Sequence, residues 1–267
     1  MSKGSASAGD EAPVLRETCG AVAVIRLNRP DRLNAVDAEM IEAIRTALGN
    51  VRDDAGIRSA VLIGNGRCFM AGADLSVFRR DLATASRVAA GLIDGFHAML
   101  REIRSLRKPV IAAVAGNVAG GGVGLALACD LAVMADDARL ISGYSKLGTS
   151  PDAGTTWSLT RAVGARRALE LMCLNIPVSA QEALALGLVN RMVPAAELAE
   201  QAIDMARRLA EGAPLAIARI KSLVETAGTS DFDSQLDRER ASFIECAATD
   251  EFREGVSAFF DRRPPRF

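Results

Sequence analysis

Residues 109–129 constrain this chain more than any other stretch. They read PVIAAVAGNVAGGGVGLALAC, carry no charged side chain, and approach the ~20 residues that a membrane span needs. They also hold Asn117 and a dense set of glycines, Gly116, Gly120, Gly121, Gly122 and Gly124. A spanning helix tolerates such a density poorly. A buried strand over Val110–Val114, a glycine turn and a buried helix account for every letter. A strand that is apolar at every position needs cover on both faces, which points to an α/β arrangement.

The flanking segments extend that pattern. Val22–Leu27 and Ser59–Gly64 read as apolar strands of ordinary length, and Leu131–Ala135 as a further short one. Asp37 is placed to cap a helix in which Met40, Ile41, Ile44 and Leu48 share a face. Over residues 85–104, Val88, Leu92, Phe96, Met99 and Ile103 form a helical stripe. After about residue 160 helical patterns dominate, at 166–173, 180–186, 198–211, 215–226 and 232–246. The expected organisation is a tail over 1–12, an α/β core over 13–200 and a helical region over 201–267.

Composition narrows the function classes. With 32 Lys plus Arg against 33 Asp plus Glu, no charge excess draws the chain to nucleic acid or to an anionic membrane. Five scattered cysteines with no Cys-x-x-Cys, and the single His97, argue against a zinc site and a disulfide framework. No metal and no membrane anchor are expected, and the cytoplasm is the expected compartment.

Three segments can carry chemistry. In Ala71-Gly72-Ala73-Asp74 the glycine lets backbone approach a ligand, with the Ala73 amide facing inwards and Asp74 holding the turn. A plain βα turn fits the same letters. Gly120-Gly121-Gly122 opens a predicted helix, where unpaired amides and the dipole suit an anionic oxygen. Tight helix-to-sheet packing explains it equally. No Gly-Lys-Ser/Thr follows, so this is not a P-loop. Asp152, after Pro151 and before Ala153-Gly154, is either a helix cap or an acid–base carboxylate in an apolar pocket. His97, alone on its helix, has no nucleophile elbow to serve.

Taken together, the segments resemble the enoyl-CoA hydratase/isomerase, or crotonase, family. The stretches that carry the likeness are Asn28-Arg29-Pro30 with Leu33-Asn34-Ala35, residues 69–75, residues 108–114, Gly120-Gly121-Gly122 and residues 254–260. The resemblance implies a crotonase-like spiral of ββα units with a helical C-terminal region, and a homotrimer or a hexamer built as a dimer of trimers. It implies a small-molecule acyl-CoA substrate, coenzyme A being carried as the substrate's thioester, with no redox or metal cofactor. By position, the amides of Ala73 and Gly121 form the oxyanion hole, Arg32, Leu33, Asn34 and Ala71 hold the coenzyme A portion, and residues 78–91 shape the acyl end.

The departures from the family pattern are informative. Hydratases of the family carry two glutamates, whose positions here hold Gly124 and Tyr144. Isomerases of the family use an aspartate at the position of Asp152, and residues 145–157 look especially like the phenylacetate-pathway isomerase. The resemblance therefore implies double-bond migration with catalytic Asp152, Ala73 and Gly121. Tyr144 and His97 are possible acyl-pocket or secondary catalytic residues. Three alternatives stay open: enoyl-CoA hydration, a 4-chlorobenzoyl-CoA dehalogenase-like hydrolysis with Asp152 as nucleophile and His97 as base, and a non-catalytic acyl-CoA-binding subunit.

Overall fold

The computed structural model describes residues 12–79 and 82–267. Most of the expected 1–12 tail, and residues 80 and 81 of the 78–91 segment, lie outside the described residues. The first elements are an antiparallel pair, β1 (Val14–Cys19) and β2 (Val22–Leu27), followed by α1 (Ala38–Asp53) and β3 (Ser59–Gly64). Next come α2 (Ser76–Arg79), α3 (Ala85–Ser105), β4 (Val110–Val114), β5 (Asn117–Ala119) and α4 (Gly121–Ala128). The chain continues through β6 (Leu131–Ala135), β7 (Arg139–Ile141), α5 (Thr155–Cys173), β8 (Val178–Ser179), α6 (Ala180–Ala185) and β9 (Arg191–Val193). Four helices close it: α7 (Leu198–Ala210), α8 (Pro214–Ala227), α9 (Phe232–Ala247) and α10 (Asp250–Asp261).

The larger sheet runs β1-β2-β3-β4-β6-β9 and is parallel except at its β1 edge. A second sheet, β5-β7-β8, stands beside it. The units β4-β5-α4 and β6-β7-α5 each give one strand to each sheet and then a helix. This is the ββα spiral expected above. Every residue of β4 is buried. The 109–129 segment is accordingly a strand, a turn and a helix, and no described helix is long and apolar enough to cross a membrane.

Local chemistry sets the element ends. Asp37 caps α1, its side chain accepting from the Met40 amide at 3.0 Å. Met40, Ile41, Ile44 and Leu48 are all buried. In α3 the stripe divides: Met99 and Ile103 are buried in the core, whereas Leu92 and the buried Phe96 line a cavity. The 166–173 helix proves to be the second half of α5, which is interrupted at Gly164 (φ 75°). Helix α7 crosses residue 200 and lies on the sheet through Leu198, Ala202, Met205, Ala206 and Ala210. The alanines let its backbone come close, so that Ser59 Oγ donates to Ala206 O at 2.8 Å. Burying Leu198 and Met205 contributes about 1.5–3 kcal/mol each. By contrast α8, α9 and α10 leave Val224, Phe232, Phe243, Phe259 and Phe260 largely exposed.

Candidate active site

Two depressions compete for attention. The wider, about 700 Å³, lies between the ends of α1 and α3 and the α7–α8 turn. Its Lys108 is already bonded to carbonyls closing α1, Val51 O at 2.6 Å and Asp54 O at 2.7 Å, and none of the candidate catalytic residues lies there. The smaller, about 260 Å³, collects Ala71, Ala73, Gly121, Tyr144 and Asp152. Its walls are mostly apolar, with Val36, Leu75, Phe78, Leu92, Ile93, Phe96 and Leu147. Among the described lining residues Asp152 is the only charged side chain. An apolar cavity with a few convergent polar groups is where ligand chemistry is expected.

The two amides reach this cavity by different routes. Val36 and Ala73 form a parallel bridge, in which Val36 N donates to Gly72 O and Asp74 N donates to Val36 O, each at 2.8 Å. Those bonds use the groups on either side of Ala73, so its own N–H faces the opposite way, towards the cavity. Gly121 is the first residue of α4 and its N–H has no intrahelical acceptor. Glycine is obligatory one residue later. A Cβ on Gly122 would lie 2.2 Å from Met70 O, so α4 packs directly on the strand-to-loop backbone that carries Ala73. Asp74 fixes that loop from outside, accepting from Ser76 N at 3.0 Å and pairing with Arg32 at 3.3 Å.

On the facing wall, Tyr144 Oη donates to Asp152 Oδ1 at 2.5 Å. Burial, reinforced by the Asp152 charge, pushes the Tyr144 phenol well above its ordinary value, so it remains a neutral donor. Asp152 is not a helix cap. The cap position of α5 belongs to Gly154, and the Asp152 carboxylate faces the phenol and the cavity. The turn bearing Tyr144 is held by Asn175, whose Oδ1 accepts from Gly143 N at 2.5 Å.

His97 stands behind this wall rather than in it. Its Nε2 accepts from the Ala153 amide at 3.2 Å, and it is not among the residues lining the cavity. Of the other expected binding residues, Ala71 lines the cavity and donates its N–H to Leu33 O at 3.1 Å. Arg32 is exposed beside Asp74. Asn34 is fully buried, accepting from Arg29 N and donating to Asn65 O and Cys68 O. Its side chain is therefore spent on clamping the loop, and any service to a ligand passes through that loop's backbone. The sequence reading did not single out Ser142, Thr149 and Ser150, which also line the cavity; hydroxyl residues in a loop carry no pattern of their own. Gly124, the first missing glutamate position, abuts Ala153: a Cβ there would lie 2.5 Å from both its Cβ and its carbonyl oxygen. Among the described residues no cluster of three or more His, Cys, Asp or Glu is placed to hold a metal ion.

Comparison with known proteins gives the family. Residues 17–267 match the enoyl-CoA hydratase/isomerase family. The chain is 37% identical over 247 residues to the 1,2-epoxyphenylacetyl-CoA isomerase of Escherichia coli (strain K12), covering 92% of this chain and 94% of that protein. It is 33% identical over 251 residues to the short-chain-enoyl-CoA hydratase of Clostridium acetobutylicum, covering 94% and 95%. The crystal structure of an enoyl-CoA hydratase from Polaromonas sp. JS666 superposes with a TM-score of 0.92 at 37% identity, covering 95% of this chain and 98% of that one. The fold expected from the resemblance, a crotonase spiral with a helical C-terminal region, is thus the fold observed, and the chain belongs to the enoyl-CoA hydratase/isomerase family of enzymes.

Proposed function

We propose that the protein moves the double bond of an enoyl-CoA through an enolate, with Asp152 as the acid–base carboxylate and the Ala73 and Gly121 amides as the oxyanion hole. One observation carries this reading. Among the described residues the cavity has a single carboxylate, facing two inward amides, and the position of a second carboxylate is Gly124, where Ala153 leaves no room for a side chain. The thioester oxygen gains charge as the adjacent carbon loses its proton. Fixed amide donors favour that charged state over the neutral thioester. Asp152 takes the proton, and the acid so formed is the store from which a proton returns at another carbon. Apolar walls exclude the water that would otherwise compete.

Hydration is the second reading, favoured by relatives named hydratases. It needs a base for water. Tyr144 occupies the second glutamate position as a strongly protonated phenol, which makes it unsuited to that task. Hydrolysis of the dehalogenase kind would need His97 as base, yet its Nε2 is engaged with Ala153 N outside the cavity. The same engagement speaks against His97 as an acyl-pocket residue. A purely acyl-CoA-binding subunit would have no need of a carboxylate facing two free amides.

The relative named 1,2-epoxyphenylacetyl-CoA isomerase supports an isomerase of phenylacetate catabolism. The exposed apolar face of α8–α10 supports association into a trimer or a dimer of trimers. Five unpaired cysteines fit a reducing cytoplasm. The test is proton NMR in heavy water with 3-enoyl-CoA and 2-enoyl-CoA. Migration of the double bond with deuterium incorporation is expected; accumulation of 3-hydroxyacyl-CoA instead would overturn the isomerase reading.

A further inference from the structure

We propose that Tyr144 delivers the returning proton, so that the double bond moves by an Asp152–Tyr144 relay and not by the carboxylate alone; this rests on Asp152 being the base. Two observations bring the phenol to the reacting atoms. Its oxygen is 2.5 Å from Asp152 Oδ1. Its ring lines the cavity, with Cζ 3.9 Å from where a Cβ on Gly120 would stand, beside the helix start that presents the Gly121 amide. Three residues after Asp152 stands Thr155, fully buried, whose hydroxyl has no hydrogen-bond partner.

The hydrogen bond between the two side chains changes direction during turnover. At rest the carboxylate is only an acceptor, so the phenol must donate. When Asp152 takes a proton from the substrate carbon it becomes a donor. The bond turns round, the carboxylic acid donates to the phenol oxygen, and the phenol hydrogen is released towards the cavity. The phenol proton then passes to the receiving carbon of the dienolate while the Asp152 proton passes to the phenol oxygen. One carbon has lost a proton, another has gained one, and both side chains are restored; no electrons or co-reactants are exchanged. Electrostatics favours this timing. Burial and the Asp152 charge hold the phenol proton in the resting site, and the second of these vanishes once Asp152 is neutral. The spacing of the two oxygens is also comparable to that of the 1,3-related carbons between which the proton moves.

Tracing the proton tests the relay. The intact protein, in excess over 3-enoyl-CoA deuterated at carbon 2, is allowed one turnover in ordinary water, and the label at the receiving carbon is read by mass spectrometry. Wild type is expected to place protium there, because the first proton delivered comes from Tyr144. In Tyr144→Phe the carboxyl must return what it took, so deuterium transfer rises several-fold while turnover falls about tenfold or more, equivalent to ~1.4 kcal/mol in the barrier. Equal transfer in the two proteins would overturn the relay, and so would unchanged turnover in the variant. Tyr144 is the only tyrosine of the chain, so biosynthetic incorporation of 3-fluorotyrosine makes this one phenol more acidic without removing it. The relay predicts that a larger share of the dienolate then becomes migrated product; an unaltered share would contradict it. Should wild type fail to move the double bond, or should Asp152→Asn move it equally well, the base assignment itself fails. Should only the label pattern fail, the base stands and the relay does not.

Discussion

Substituting Gly124 by alanine tests whether the wall behind Asp152 is as tight as the geometry requires. The added methyl would sit 2.5 Å from Ala153 Cβ and from Ala153 O. Ordinary contact between carbons is about 3.5–4.0 Å, so one side must yield by roughly 1 Å. Neither neighbour is the far end of a flexible chain. Ala153 is 2% exposed and its amide is tied to His97. Two effects then oppose each other. Alanine is a better helix former than glycine by about 0.8–1.0 kcal/mol, and overpacking a core costs about 1–3 kcal/mol. The second wins, leaving a net loss of roughly 0–2 kcal/mol. Catalysis should suffer more than stability, because the displaced residue adjoins Asp152 and a 1 Å misplacement can cost ~10²-fold in rate. Urea denaturation with an unchanged m-value, alongside turnover of 3-enoyl-CoA, reads both quantities. A Gly124→Ala protein that is about 1 kcal/mol more stable than wild type and fully active would refute the argument. By the same reasoning Gly124→Glu does not create a two-carboxylate hydratase.

Two further outcomes follow from the polar contacts. Replacing His97 with alanine leaves the buried Ala153 amide without its acceptor, at a cost of about 1–3 kcal/mol; turnover should fall with KM little changed, and His97→Gln, which restores an acceptor, should recover part of both. A variant with normal melting and normal turnover would show that His97 does not hold this wall. Glu254 accepts from both terminal nitrogens of Arg263, at 2.6 and 2.9 Å, and from Arg266 N at 2.8 Å, which lowers its carboxyl to about 2. A depressed carboxyl stabilises the folded state above its unfolded value of 4.5, and that contribution is lost as pH falls from about 4.5 towards about 2. Glu254→Gln should flatten the melting temperature over that window; an unchanged acid slope would show that Glu254 contributes none of it.

Much of this molecule is written in local patterns. The strands Val22–Leu27, Ser59–Gly64, Val110–Val114 and Leu131–Ala135 were legible because each is a continuous apolar run between turn residues, and the Asp37 cap because its helix has a regular stripe. β5, β7, β8 and β9 were not, since strands of two or three residues have no room for a period and are defined by partners far along the chain. The break at Gly164 shows the same limit, because a glycine within a helical pattern is often tolerated. For the site, Ala73, Gly121 and Asp152 could be named from the family resemblance that their motifs carry. What the resemblance could not supply was direction. That Asp152 faces a phenol and leaves the helix cap to Gly154, that His97 supports the backbone of Ala153, and that Asn34 is consumed by its own loop are facts of side-chain orientation.

The central claim is that Asp152 is the base that takes the substrate proton. Proton NMR of the Asp152→Asn protein with 3-enoyl-CoA in heavy water, beside wild type and with coenzyme A ester binding measured on both, tests it most directly. The account predicts unchanged folding and binding, with migration and deuterium exchange both abolished. Undiminished migration in a folded, ligand-binding Asp152→Asn protein would contradict it.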